Sequence, residues 1–210
     1  MANVLYIKAS PRGERSYSIR AAEAFLDAYR QKNPDDRVTT VDVFEDDLPA
    51  FDFKAASAKY KIMHGQEHTE DDRQTWGEIV SVIDKFKAAD KYVLATPMWN
   101  FSIPYRLKQY IDILAQPGLT FAVTEDGQFQ GLVGDKPVFI AYARGGAYPP
   151  GSGREGFDFQ KPYLEAILQY IGLTDIRALA VEPTLMAGPE AAAKSQAEAI
   201  AQAREMAAAF

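Results

Sequence analysis

Five short apolar runs, at residues 4–9, 38–43, 92–95, 138–143 and 176–181, alternate with segments whose apolar residues recur at helical spacing. This alternation constrains the chain more than any other feature. The runs are strand-like in length, partly β-branched and without regular polar alternation, the pattern of strands covered by helices on both faces of a parallel sheet. Between them lie four stripes: Ile19, Ala22, Phe25, Leu26 and Tyr29; Trp76, Ile79, Val80 and Ile83; Leu107, Tyr110, Ile111 and Leu114; and Leu164, Ile167, Leu168 and Ile171. Each stripe marks one face of a helix. An Ala-rich helix from about residue 189 to residue 210 closes the pattern. The expected architecture is α/β, a doubly wound five-stranded parallel sheet with helices on both faces. The 210 residues contain no internal repeat, low-complexity tract or linker, so they read as one domain over residues 1–210.

Three segments exceed a minimal unit of this kind. Residues 46–75 form a polar, insertion-like stretch, and a hairpin is expected around residues 120–123, with Glu125, Asp126 and Gly127 as turn chemistry. Residues 145–156 carry five glycines and two prolines, which reads as a mobile loop at the functional edge of the sheet.

Charge and composition exclude several function classes. The chain carries 23 Lys plus Arg against 29 Asp plus Glu, a net charge of -6, so it offers no basic surface for a nucleic acid. Cysteine is absent, which removes thiolate nucleophiles, disulfides and Cys-ligated metal centres. Redox chemistry, if present, belongs to a cofactor. The first apolar run lacks a charged leader, and no stretch approaches the ~18 apolar residues of a membrane span. A cytoplasmic protein with no membrane association is expected.

In open parallel sheets the ligand lies outside the carboxyl ends of the strands, so the residues just after each run are the informative ones. After the first run, Ser10 and Ser16-Tyr17-Ser18 precede a helix. Neither a dinucleotide fingerprint nor a triphosphate loop is present. The serines and the helix N-terminus offer donors for a terminal phosphate, or Ser18 is simply an N-cap. After the third run, Pro97-Met98-Trp99-Asn100-Phe101 concentrates flat and soft side chains on one loop. These either cover a planar heteroaromatic ligand or fold onto a core or dimer face. After the fourth run come Ala143-Arg144-Gly145-Gly146 and Tyr148, where paired glycines permit close backbone approach or a turn. A phosphate cradle, an aromatic cover and a close backbone wall together match the anatomy of flavin mononucleotide.

These segments, with Lys108-Gln109-Tyr110-Ile111-Asp112, Pro117-Gly118-Leu119-Thr120-Phe121, Tyr170-Ile171-Gly172-Leu173-Thr174-Asp175 and Gly188-Pro189-Glu190, resemble the FMN-dependent NADH azoreductases, also described as NADH:quinone oxidoreductases. The resemblance spans nearly the whole chain. It implies a flavodoxin-like fold binding FMN through Ser10, Ser16, Tyr17 and Ser18 at the phosphate, and through Pro97, Met98, Trp99, Asn100, Phe101, Ala143, Arg144, Gly145 and Gly146 around the ring. It also implies a homodimer whose partner helps line the substrate pocket, with Phe121 near the flavin; Asn100, Phe121 and Tyr148 are the substrate-side candidates. Trp99 stands where many members have Tyr, and Ala143 where many have Ser. The implied reaction is ping-pong: hydride from NADH or NADPH to the flavin, then two electrons to a quinone or azo compound. No side chain is named as a catalytic acid or base, because the flavin carries the chemistry. Gly146→Val is expected to give folded, mostly colourless protein.

Two other readings compete. His64-Gly65-Gln66-Glu67-His68 satisfies a zinc peptidase pattern, and its spacing could set both histidines on one helical face. Gly65 and the polar surroundings argue against it, so no metal site is expected. A flavodoxin-like electron carrier or a non-catalytic flavin-binding protein would use the same contacts. A hydrolase fold is excluded by the missing G-x-S-x-G elbow.

Overall fold

The computed structural model describes residues 1–210. Its strands are β1 (Asn3–Lys8), β2 (Arg37–Asp42), β3 (Lys91–Pro97), β4 (Phe121–Val123), β5 (Phe129–Gly131), β6 (Val138–Ala143) and β7 (Ile176–Val181). Its helices are α1 (Tyr17–Lys32), α2 (Phe53–Met63), α3 (Glu70–Lys87), α4 (Tyr105–Leu114), α5 (Lys161–Tyr170) and α6 (Gly188–Ala207). Five strands pair in parallel in the order β2-β1-β3-β6-β7. This is the flavodoxin-like order, with the direction of winding reversing beside β1 and β3. β4 and β5 form the separate antiparallel hairpin anticipated from the turn residues.

Alternate side chains along each strand feed two cores. On one face, Val4, Tyr6, Val93, Phe139 and Leu179 pack with Ile19 and Phe25 of α1 and with Ala199 and Ala203 of α6. Phe25 stacks on Phe139 with ring centroids 3.9 Å apart. The small alanines let α6 lie close to its neighbours. On the other face, Leu5, Ile7, Leu94, Ile140 and Tyr142 pack with Ile79 of α3, Leu107 of α4 and Leu164 of α5. Each fully buried Leu, Ile or Phe contributes about 1.5–3 kcal/mol from apolar burial, which fixes the strand register and hence the positions of the loops at the strand ends.

The segment read as a polar insertion is helical over much of its length. α2 buries Ala55 and Ala58, and α3 begins at Glu70 with a capping box. Thr69 Oγ1 accepts from Asp72 N at 3.1 Å while Asp72 Oδ2 accepts from Thr69 N at 2.9 Å. Lys61 of α2 donates to the same carboxylate at 2.8 Å, and these bonds hold the Asp72 carboxyl down at about 2. The two histidines do not share a helix: His64 caps the end of α2, Gly65 turns the chain with φ +62°, and His68 lies in the connection to α3. Their Nδ1 atoms contact the carbonyls of Tyr60 and Gln66. No helix is long and apolar enough to cross a membrane.

Candidate active site

The carboxyl ends of β1, β3, β6 and β7 surround a cleft of about 380 Å³, lined by Ser10, Arg12, Ser16 and Tyr17, by Pro97, Met98 and Trp99, by Ala143 and Gly145, and by Thr184 and Leu185. All three loops singled out from the sequence reach it. The fourth wall was missed. Thr184 and Leu185 follow β7, and only the rule that every strand's carboxyl end faces the crevice could have found them.

The first wall is a helix start. Ser16 is the N-cap of α1, its Oγ accepting from Ile19 N, so the cap is Ser16 and not Ser18. Ser18 is buried and its Oγ lies 3.1 Å from that of Ser16, which orients the Ser16 hydroxyl without exposing Ser18 to the cleft. The first N–H groups of α1 and the positive end of its dipole favour an anion here.

The second wall is a strained turn. Trp99 and Ser102 exchange backbone hydrogen bonds of 2.8 and 2.9 Å around Asn100 and Phe101, whose φ angles are 47° and 69°. Two successive positive φ angles make a type I′ turn, usually built from Asn and Gly. A bulky Phe in this conformation costs about 1–2 kcal/mol. The surroundings hold it: Phe159 N donates to Phe101 O at 2.9 Å, and the exposed Phe101 ring lies 5.3 Å from that of Phe157. Met98 N donates to Ala143 O at 2.7 Å, joining this wall to the next. Asn100 opens into an adjoining cavity of about 550 Å³ that shares Trp99 and includes Tyr105, Lys108 and Tyr163.

The third wall is backbone. Gly145 lines the cleft, whereas a Cβ on Gly146 would lie 2.8 Å from Met186 Sδ and 3.6 Å from Tyr148 Cε2. The space that Gly146 leaves is therefore filled by Met186, and Gly145 is the glycine at the cleft. Arg144 turns away from the cleft: only 3% exposed, it pairs with Asp158 and Glu182. Tyr148 N donates to Glu182 Oε2 at 3.3 Å, and its ring lies 5.8 Å from the Arg144 guanidinium carbon, outside the cleft lining.

Phe121 does not join this group. α4 descends from the carboxyl rim, and the chain passes through the hairpin before re-entering the sheet by β6, so Phe121 lies at the amino edge. Its ring packs 4.6 Å from Tyr170 at the end of α5. A pocket aromatic near the cleft of its own chain is thus ruled out by the topology.

The profile of a family described as a flavodoxin-like fold matches residues 2–207. An FMN-dependent NADH:quinone oxidoreductase of Nitratidesulfovibrio vulgaris is 55% identical over 210 residues, covering 100% of both chains. The chain belongs to this family. Among solved structures, an azoreductase from Bacillus anthracis strain Sterne superposes with a TM-score of 0.90 at 30% identity, covering 100% of each chain. An FMN-dependent NADH-azoreductase from Bacillus anthracis strain Ames Ancestor, solved in complex with FMN, gives a TM-score of 0.86 at 27% identity over 99% of this chain and 100% of that one. The two histidines lie in the α2–α3 connection and do not line the cleft.

Proposed function

We propose that residues 1–210 act as one FMN-binding unit that reduces quinones and azo compounds with NADH or NADPH. The observation that carries this reading is the convergence of a helix N-terminus, a flat-sided loop and a bare glycine wall on one cleft of about 380 Å³, within the range of ligand pockets. Those residue types fit a phosphorylated flavin. Ser10, Ser16 and the backbone N–H groups of Tyr17 and Ser18 would hold the phosphate. Pro97, Met98, Trp99, Asn100, Phe101, Ala143 and Gly145 would surround the ring, with Arg144 contributing through its backbone and Gly146, packed against Met186, standing behind the Gly145 wall.

When bound, FMN supplies a two-electron relay, accepting a hydride from the reduced nicotinamide and passing the pair to the acceptor after the oxidised nucleotide has left. The chain's task is to bind, orient and exclude water. Asn100, beside the shared Trp99, offers an amide to an acceptor's oxygen or nitrogen, and Tyr148 flanks the same loops. Phe121, at the far edge of its own sheet, would serve the cleft of a second copy. The exposed Phe101, Tyr105, Phe157 and Phe159 side chains beside the cleft support a homodimer, because a second copy would cover these large apolar groups. An electron carrier needs an exposed flavin edge. The neighbouring 550 Å³ cavity favours an enzyme with room for an acceptor.

Purified protein is expected to be yellow, to bleach with anaerobic NADH and to recover colour on adding a quinone. Initial rates at several fixed quinone concentrations should give parallel double-reciprocal lines. Colour that NADH leaves untouched would refute the enzyme reading, and intersecting lines would refute ping-pong order.

A further inference from the structure

Beneath the cleft lies a charged cluster in which Arg144 and Gln160 are buried and the Asp158 and Glu182 carboxylates are part-exposed. Arg144 Nε donates to Gln160 Oε1 at 3.0 Å and Nη1 donates to Glu182 Oε2 at 3.3 Å. Nη2 lies 2.9 Å from Asp158 Oδ2 as an ion pair, at an angle too poor for a hydrogen bond. Each partner has a second attachment. Gln160, fully buried, donates through Nε2 to Thr96 O at 3.3 Å, at the end of β3. Asp158 Oδ1 accepts from the N–H groups of Gln160 and Lys161 at the start of α5, at 3.1 and 3.0 Å. Glu182 Oε2 also accepts from Tyr148 N. The Arg144 carbonyl accepts from both Thr184 N and Thr184 Oγ1 at 2.9 Å, and the Gly145 carbonyl accepts from Leu185 N and Met186 N. One side chain thus joins the ends of β3, β6 and β7 and the start of α5.

We propose that Arg144 is a positioning residue that sets the spacing of the cleft walls and, with its two carboxylates, the electrostatic field the cofactor experiences. This rests on the FMN reading above. Burying a guanidinium is costly unless its donors are met, and removing one partner of such a group leaves the others unpaired. A single cation facing Asp158 and Glu182 leaves a net charge of -1 behind the Ala143 and Gly145 wall. Glu165 adds no direct pair: its Oε1 is 3.5 Å from Tyr142 Oη, and burial raises its carboxyl above the usual range. Negative charge near a flavin opposes added electrons, so the charge of this cluster bears on the flavin's reduction potential.

The charge model separates two variants that a purely structural role would treat alike. Arg144→Gln and Glu182→Gln both loosen the clamp, and both are expected to weaken FMN binding by apoprotein about tenfold, read by fluorescence titration. Their midpoint potentials should move in opposite directions. Arg144→Gln leaves the cluster at -2 and lowers the potential, whereas Glu182→Gln leaves it neutral and raises it. A tenfold change in the ratio of oxidised to reduced flavin affinity corresponds to about 30 mV for a two-electron couple. Arg144→Lys should retain a potential near wild type while binding FMN less tightly, and together with Glu182→Gln it carries the test if Arg144→Gln does not fold. Shifts of the same sign, or no shift in either variant, would overturn the proposal, as would wild-type affinity in both. Wild-type apoprotein titrated in parallel distinguishes the two levels: failure of wild type to bind FMN overturns the cofactor reading itself.

Discussion

Gly145→Val separates the cleft wall from the stability of the fold. A Cβ at Gly145 would meet only Leu185 Cβ at 3.6 Å and Leu185 Cδ2 at 3.9 Å, ordinary contact distances, with no positive φ to oppose a side chain. The apoprotein should therefore fold with a stability change under about 1 kcal/mol. In the bound state the two added methyl groups compete with the ring for a cleft of about 380 Å³. If they keep the ring from covering roughly 100 Å² of wall, the loss at ~25 cal/mol per Å² is about 2.5 kcal/mol, or about 60-fold in Kd. The assay is titration of apoprotein with FMN by fluorescence quenching, alongside thermal melting of the apoprotein. A Gly145→Val variant that binds FMN within twofold of wild type would refute the placement of the wall, and one that melts far below wild type would refute the separation of wall from fold. Compared with Gly145→Val, Gly146→Val tests the cleft wall less directly. Its Cβ meets Met186 Sδ, the far end of a side chain that is 64% exposed and can swing away.

Ser16→Ala removes the N-cap of α1, costing about 1 kcal/mol of stability, and should also lower the preference for FMN over riboflavin by about tenfold, as a lost charge-assisted hydrogen bond implies; unchanged selectivity in a competition titration would remove Ser16 from the phosphate site. Gly131→Ala places a Cβ 2.2 Å from Gly172 N and 2.3 Å from its Cα, so β5 must part from the turn after α5 at a cost of about 3 kcal/mol or more; a urea midpoint equal to wild type would contradict that close approach. Burial raises the Glu165 carboxyl, with Asp158 adding to the effect and Lys161, Tyr142 and Arg144 opposing it. A native value above the unfolded ~4.3 means that wild type loses stability as pH rises through the native value. Glu165→Gln should therefore melt higher than wild type at pH 7, and the difference should close below about pH 4; an equal or lower melting temperature at pH 7 would refute the sign.

The sheet was legible because its three central runs are partly β-branched and buried on both faces, so sequence and packing point the same way, while β2 and β7 at the edges are mostly part-buried. The hairpin was legible from turn chemistry alone. α2 was not, because its buried stripe consists of Ala55 and Ala58, residues too small to stand out against the lysines around them. At the cleft, the sequence located the loops but not the directions of their side chains. Ser18 and Arg144 are polar residues turned inward to other protein groups, a fate set by tertiary partners far along the chain such as Glu182. Strand connectivity sets Phe121 at the edge opposite its own cleft, beside Tyr170, a placement that no local residue pattern displays.

The turn at Asn100 and Phe101 has a consequence for ligand capture. Glycines at both positions would remove the left-handed strain, but each would give the free protein a more mobile backbone. Ordering a residue costs roughly 1–2 kcal/mol, and an arriving molecule would have to meet that cost from its own affinity. By keeping side chains with φ of 47° and 69° there, the polypeptide settles the entropy when it folds, so the lip of the cleft is already rigid at the moment of encounter.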